Sequence, residues 1–116
     1  MKYLLLIYTN EAAEAAMSQE EQMAEFQAHI GYAAEMGAKG VMRGGEPLMP
    51  TSTATSVRVR DGKVLTTHGP FAETVEQLGG FYLIECANLD EALAWAAKNP
   101  NAGKGTIEVR PVVELS

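Results

Sequence analysis

The chain has 116 residues, 47% hydrophobic and 21% charged, which suits one domain with one modest core and excludes a disordered chain. A net charge of -6 and a pI of about 4.8 repel phosphate backbones, so no nucleic-acid partner is expected. No run approaches the ~18 apolar residues of a membrane span, and a lone cysteine, Cys86, excludes an intrachain disulfide or a Cys-based metal site.

Residues 2–9 are almost continuously apolar, which predicts a strand covered on both faces rather than a signal peptide. Residues 10–17, rich in Ala and Glu, fit a loop or a short helix. Ser18-Gln19-Glu20-Glu21 has the spacing of a capping box and predicts a helix to about Met36, with Gly37 as its stop. Met23, Phe26, Ile30 and Ala33 share one face of that helix, expected to be the buried one. Gln22, Glu25, His29 and Tyr32 fall on a neighbouring, more polar face.

A short strand enters the turn Gly44-Gly45-Glu46-Pro47-Leu48, where the two glycines permit a bend or a close approach. Residues 56–60 and 63–67 alternate on either side of Asp61-Gly62, the sequence signature of a β-hairpin. Gly69-Pro70 ends the hairpin, and residues 73–78 form a connecting turn. Gly79-Gly80 opens a strand over residues 81–86, and Asn88-Leu89-Asp90-Glu91 reads as a second capping box. The helix after it runs to about Lys98, with Leu89, Ala92, Leu93 and Ala96 on its buried side and Trp95 as a packing residue. Residues 105–113 form the last strand, with Ile107, Val109 and Pro111 facing one way.

This order predicts a single α+β domain over residues 1–116, ferredoxin-like βαβ–βαβ with an inserted β-hairpin. Its antiparallel sheet carries two helices on one face. The other face needs a cover, and a second copy of the chain supplies one most simply, giving a homodimer.

Several residues have the chemistry of a site. His68 ends the hairpin just before Gly69-Pro70, where an imidazole can act as general acid or base with Glu73 or Glu46 as its carboxylate partner. The plainer alternative is a turn histidine beside two solvated acids. Tyr8 and Tyr82, on strands, can offer a hydroxyl to a ligand oxygen or serve as core tyrosines. Arg110 can bind an anion or pair with Glu108 or Glu85. His68 and His29 are the only histidines and lack paired spacing, so no metal is expected. The glycine pairs lack the pattern of a phosphate or dinucleotide loop.

The opening residues 1–8, Gly44-Gly45-Glu46-Pro47-Leu48, Val57-Arg58-Val59-Arg60-Asp61-Gly62, Gly69-Pro70-Phe71-Ala72-Glu73-Thr74, Gln77-Leu78-Gly79-Gly80-Phe81 and Ile107-Glu108-Val109-Arg110-Pro111 together resemble the YCII-related family, in the branch named for a DGPF motif. The resemblance covers nearly the whole chain. It implies a dimeric α+β barrel, in which a histidine and the motif aspartate have been proposed as an active-site pair. His68 stands where that motif has Asp. An imidazole there can still carry a proton but cannot replace an anion. Some relatives neighbour sigma-factor genes, and related barrels support isomerase, oxygenase and dehalogenation chemistry.

Two functions follow as expectations for a cytoplasmic homodimer with no membrane partner. One is cofactor-independent acid–base chemistry of isomerase or lyase type, in a pocket near His68 that takes a small polar or aromatic ligand. There His68 and Glu73 are catalytic, and Tyr8, Glu46, Tyr82 and Arg110 bind the ligand. The other is a non-catalytic ligand-binding or regulatory dimer tied to transcriptional control.

Overall fold

A computed structural model describes residues 1–115. The chain runs β1 (Lys2–Thr9), α1 (Glu11–Ala15), α2 (Gln19–Ala38), β2 (Met42–Pro47), a 3-10 turn (Thr51–Thr53), β3 (Thr55–Arg60), β4 (Lys63–His68), β5 (Gln77–Glu85), α3 (Leu89–Ala97) and β6 (Thr106–Pro111). Four strands form one sheet in the order β2-β5-β1-β6, and every neighbouring pair is antiparallel. This is the ferredoxin-like order expected from two βαβ units. The hairpin β3-β4 forms a separate two-stranded sheet.

Alternation along β1 decides which face the helices cover. Tyr3, Leu5 and Ile7 are buried, whereas Leu4, Leu6 and Tyr8 between them are only half-buried. Pairing carries the division across the sheet. Tyr3, Leu5 and Ile7 stand opposite Ile84, Tyr82 and Gly80 and opposite Pro111, Val109 and Ile107. The core gathers on this side, with Met36 and Tyr32 from α2 and Ala92, Trp95 and Ala96 from α3. Leu4 and Leu6 lie opposite Leu83 and Phe81 on the other side, so that face is apolar without being covered by a helix.

The capping box at α2 forms as the sequence predicts. Ser18 Oγ accepts from the Glu21 N–H at 3.1 Å, and the Glu21 carboxylate accepts from the Ser18 N–H at 3.0 Å. The stop comes later than Gly37. Gly40, at φ 71°, ends the helix, with its N–H on the Gly37 carbonyl and the Val41 N–H on the Met36 carbonyl. This is a Schellman arrangement, anchored because Val41 and Met36 both enter the core. Only half of the second capping box forms: Asn88 accepts from the Glu91 N–H, but Glu91 accepts from Ala87, one residue before the cap. Strand β5 begins at Gln77 rather than after the glycine pair, because a bulge in the pairing with β1 lets Leu78 stand opposite Tyr8.

Both helices are rotated from the expected burial. On α2 the strip Met23, Phe26 and Ile30 remains 54%, 61% and 49% exposed. The buried residues are Tyr32 and Met36. On α3, Leu89 and Leu93 are exposed, and Trp95 turns inward beside Ala92 and Ala96. Aromatic bulk and hydrogen bonding decide the rotation, since Tyr32 donates its hydroxyl to the Trp95 carbonyl at 2.7 Å and meets the Trp95 ring edge-on.

The loop from α3 into β6 passes very close to β1. A Cβ on Gly105 would overlap the backbone carbonyl of Tyr8, which cannot swing away without breaking the sheet. Gly103, two residues earlier, has open space around it. Gly105→Ala is expected to lower stability by about 1–3 kcal/mol, and Gly103→Ala to change it by about 0.5 kcal/mol at most. Urea denaturation of the two variants tests the contrast, and equal midpoints would contradict it.

Candidate functional site

A cleft of about 910 Å³ opens between α2 and the β2-β5 side of the sheet. That is a size suited to a small organic ligand. Hydrocarbon from Ile7, Phe26, Ile30, Ala33, Met42 and Leu48 makes most of its wall. Polar groups gather where α2 meets the loop before β6: His29, Tyr82, Asn101 and Glu25.

These four groups form a chain of hydrogen bonds. Tyr82 Oη lies 3.0 Å from His29 Nδ1. His29 Nε2 meets Asn101 Oδ1, and Asn101 Nδ2 donates to the Glu25 carboxylate. The direction of the chain follows from donor inventory. A carboxylate only accepts, so the Asn101 amide must turn its nitrogen to Glu25 and its oxygen to His29. His29 Nε2 therefore carries a proton and donates. Nδ1 lies against the Tyr82 hydroxyl, which can donate to it or accept from it. The result is an imidazole whose Nδ1 is held at the cleft beside a phenol.

Local structure fixes both rings. Tyr82 lies against β2 where Gly45 is its cross-strand partner. A Cβ on Gly45 would stand 2.9 Å from the Tyr82 ring, so the glycine makes room for it. The Tyr32 ring meets Tyr82 edge-on with centroids 5.2 Å apart, and His29 stacks on the other side at an interplanar angle of 15°. Burial raises the pKa of Tyr82 and pushes that of Tyr32 up to about 12. Both phenols therefore stay protonated at neutral pH and act as donors.

Behind Glu25, Lys104 Nζ stands 2.9 Å from Glu25 and 3.0 Å from Glu14. Burial raises the pKa of Glu14, aided by the hydrogen bond it shares with Glu25. Burial works in the same direction on Glu25, but hydrogen bonds from Lys104, Glu14 and Asn101 outweigh it and hold Glu25 below its usual range. Burial alone would lower Lys104, but the two carboxylates hold it higher. One carboxylate is thus held ready to accept a proton beside another that stays ionised. The mouth of the cleft is fixed by Glu11, whose carboxylate accepts from the Thr51 N–H at 2.8 Å and the Thr51 hydroxyl at 2.7 Å. Among the described residues no group of three or more His, Cys, Asp or Glu is placed to hold a metal ion.

Of the residues singled out from sequence, Tyr82 and Glu46 line this cleft. Pairing of β2 with β5 brings these two elements together. His68 and Glu73 do not line it. His68 ends β4, opposite Thr55, and is exposed. Glu73 lies in the exposed segment between β4 and β5. Tyr8 shares the other face of the sheet with Leu4 and Leu6, and Arg110 is exposed and paired with Glu108 at 3.0 Å. The central residue is instead His29, together with Asn101 and Glu25. Gln22, Glu25, His29 and Tyr32, spaced three and four apart, were the signal in the sequence: a polar face with an aromatic at its end can face a cleft.

The YCII-related domain matches residues 1–116. The chain belongs to the YCII-related family. An uncharacterised protein of Rhizobium meliloti is similar to it, 42% identical over 117 residues that cover 97% of this chain and 92% of that protein. No helix of this family member is long and apolar enough to cross a membrane among the described residues.

Lys104 is expected to stabilise the fold mainly by separating two carboxylates. A raised lysine pKa gives stability that is complete below the ordinary lysine pKa and lost as pH rises through the raised one. The lowered pKa of Glu25 gives stability present above the ordinary carboxylate range and lost as pH falls through its depressed value. Glu14 has the opposite sign, since its raised pKa favours the protonated folded state. Lys104→Met should therefore cost up to about 1 kcal/mol near neutral pH, where both carboxylates would face each other charged. The cost should shrink by about pH 4, as Glu14 and then Glu25 take up protons. Urea midpoints at the two pH values measure this, and an equal cost at both would contradict it.

Proposed function

We propose that this YCII-related protein binds a small, uncharged polar or aromatic molecule in the cleft and moves a proton on it without a cofactor, as an isomerase does. The observation that supports this reading is the His29–Tyr82 pair, an imidazole nitrogen and a protonated phenol 3.0 Å apart at the polar end of an apolar cleft. The wall includes Glu11, Glu14, Glu25 and Glu46 but no lysine or arginine, which disfavours an anionic ligand.

The chemistry balances within the pair. With the ring neutral and the Tyr82 hydroxyl turned from Nδ1 to a substrate carbonyl, His29 Nδ1 takes a proton from the carbon beside that carbonyl, and the electron pair moves onto the carbonyl oxygen. Tyr82 gives its proton to that oxygen. The imidazolium then returns a proton to the phenolate across their hydrogen bond, leaving an enol and the original pair. Glu25 acts through Asn101 by holding the ring in place. In this reading the roles considered for His68 and Glu73 pass to His29 and Tyr82.

The same reading makes the protein a homodimer. The apolar sheet face of Leu4, Leu6, Phe81 and Leu83 has no helix over it, and a second such face is a self-complementary cover under two-fold symmetry. A non-catalytic ligand-binding or regulatory dimer, tied to transcriptional control, is the second reading. The apolar side chains exposed at Phe71 and Val75 are the observation that favours it.

Deuterium incorporation from heavy water into small enolisable ketones tests the first reading. Exchange above the buffer rate is expected, reduced by about 10²–10⁴-fold in His29→Ala and in Tyr82→Phe. Ligand binding without exchange would favour the second reading. For the dimer, light scattering should give twice the chain mass of 12.5 kDa, with Leu6→Glu shifting the population to monomer; a wild-type monomer would refute it.

A further inference from the structure

The β3-β4 hairpin stands apart from the body. Its two strands make substantial contact only with each other, and the molecule measures 47 × 47 × 19 Å. The radius of gyration is 16.2 Å, against about 13 Å for a compact chain of this length. A lone two-stranded hairpin is marginal in water, yet this one is well formed. Asp61 and Gly62 take φ of 52° and 74°, the conformation that a tight hairpin turn requires.

Its faces differ. Val57 stands opposite Thr66, and Val59 opposite Val64, so one face is β-branched up to its Thr55–His68 end, with Val57, Val59 and Val64 61%, 59% and 67% exposed. Arg58, Arg60 and Lys63 lie on the other face. Three of the nine cations thus stand on the hairpin against one acid, Asp61. A chain of net charge -6 divides into an arm of +2 and a body of -8. The body carries a matching strip. Met23, Phe26 and Ile30 form an exposed apolar line along α2, with Glu20 beside it.

We propose that the β3-β4 hairpin is an arm that seats its valine face on α2 of a second copy of the chain, across the mouth of that copy's cleft. Both halves of the contact occur on every chain, so one exchange implies its symmetric twin. The arm's charge of +2 and the body's of -8 attract each other. Because Phe26 and Ile30 also line the cleft, the arm encloses the apolar end of a site that one chain leaves open. The inference does not depend on the proton-transfer chemistry.

Val59 replaced by photoreactive benzoylphenylalanine, in a mixture of isotopically light and heavy chains, tests it. Irradiation followed by mass spectrometry should yield a covalent dimer with light-to-heavy attachment within residues 22–33. Attachment confined to the same chain, attachment to a different surface, or no covalent dimer would overturn the proposal. Val57→Lys with Val64→Lys, added to the labelled chain, should lower the yield about tenfold, and an unchanged yield would overturn it too. Should that variant fail to fold, the attachment map from the otherwise unaltered chain decides.

Discussion

The candidate site depends on one side-chain amide. Asn101 is 5% exposed and has every polar group occupied. Its N–H donates to the Asn99 side chain at 2.9 Å, its carbonyl accepts from Gly105 at 2.8 Å, and its amide joins His29 to Glu25. The first two bonds fix the residue in the loop between α3 and β6. The last two fix α2 against that loop. A buried amide with one satisfactory orientation is a rigid connector, because any other orientation would put two acceptors or two donors in contact. The proton on His29 Nε2 follows from it.

The cleft exists because α2 does not settle its apolar strip onto the sheet. Tyr32 and Met36 enter the core near the C-terminal end of the helix. Towards the N-terminal end the helix presents His29, Glu25 and Gln22 to the cleft. Closing that gap with hydrocarbon would gain burial, yet the chain places titratable groups there and leaves Met23, Phe26 and Ile30 largely exposed, the last two along the cleft's wall. Such a sacrifice of local burial is what a binding site requires. In the proposed exchange the exposed strip and the exposed valine face of the hairpin are two parts of one arrangement, each unfavourable alone and complementary in the other's presence.

Much of the architecture was legible in the residues. The Ser18–Glu21 box, the Asp61-Gly62 turn and the apolar run of β1 each act through near neighbours, so a local pattern suffices to read them. Glu46 and Tyr82, singled out from the sequence, both line the cleft, since the strands carrying them pair directly. His68 and Glu73 drew attention through their place in the motif, while the cleft formed round His29. The reason is rotational. Helix phase is set by whichever side chains best fill the core, and the Tyr32–Trp95 contact joins residues 63 positions apart.

The sequence by itself determined the elements, their order, the ferredoxin-like sheet and the family, because caps, turns and alternation are short-range properties of the chain. Tertiary structure alone decided which face of α2 meets the sheet, and so which histidine stands at the cleft. It also decided the proton arrangement of that histidine. Asn101 and Glu25 are separated by 76 residues, and only the packed fold brings one's amide to the other's carboxylate and so directs the donors along the chain.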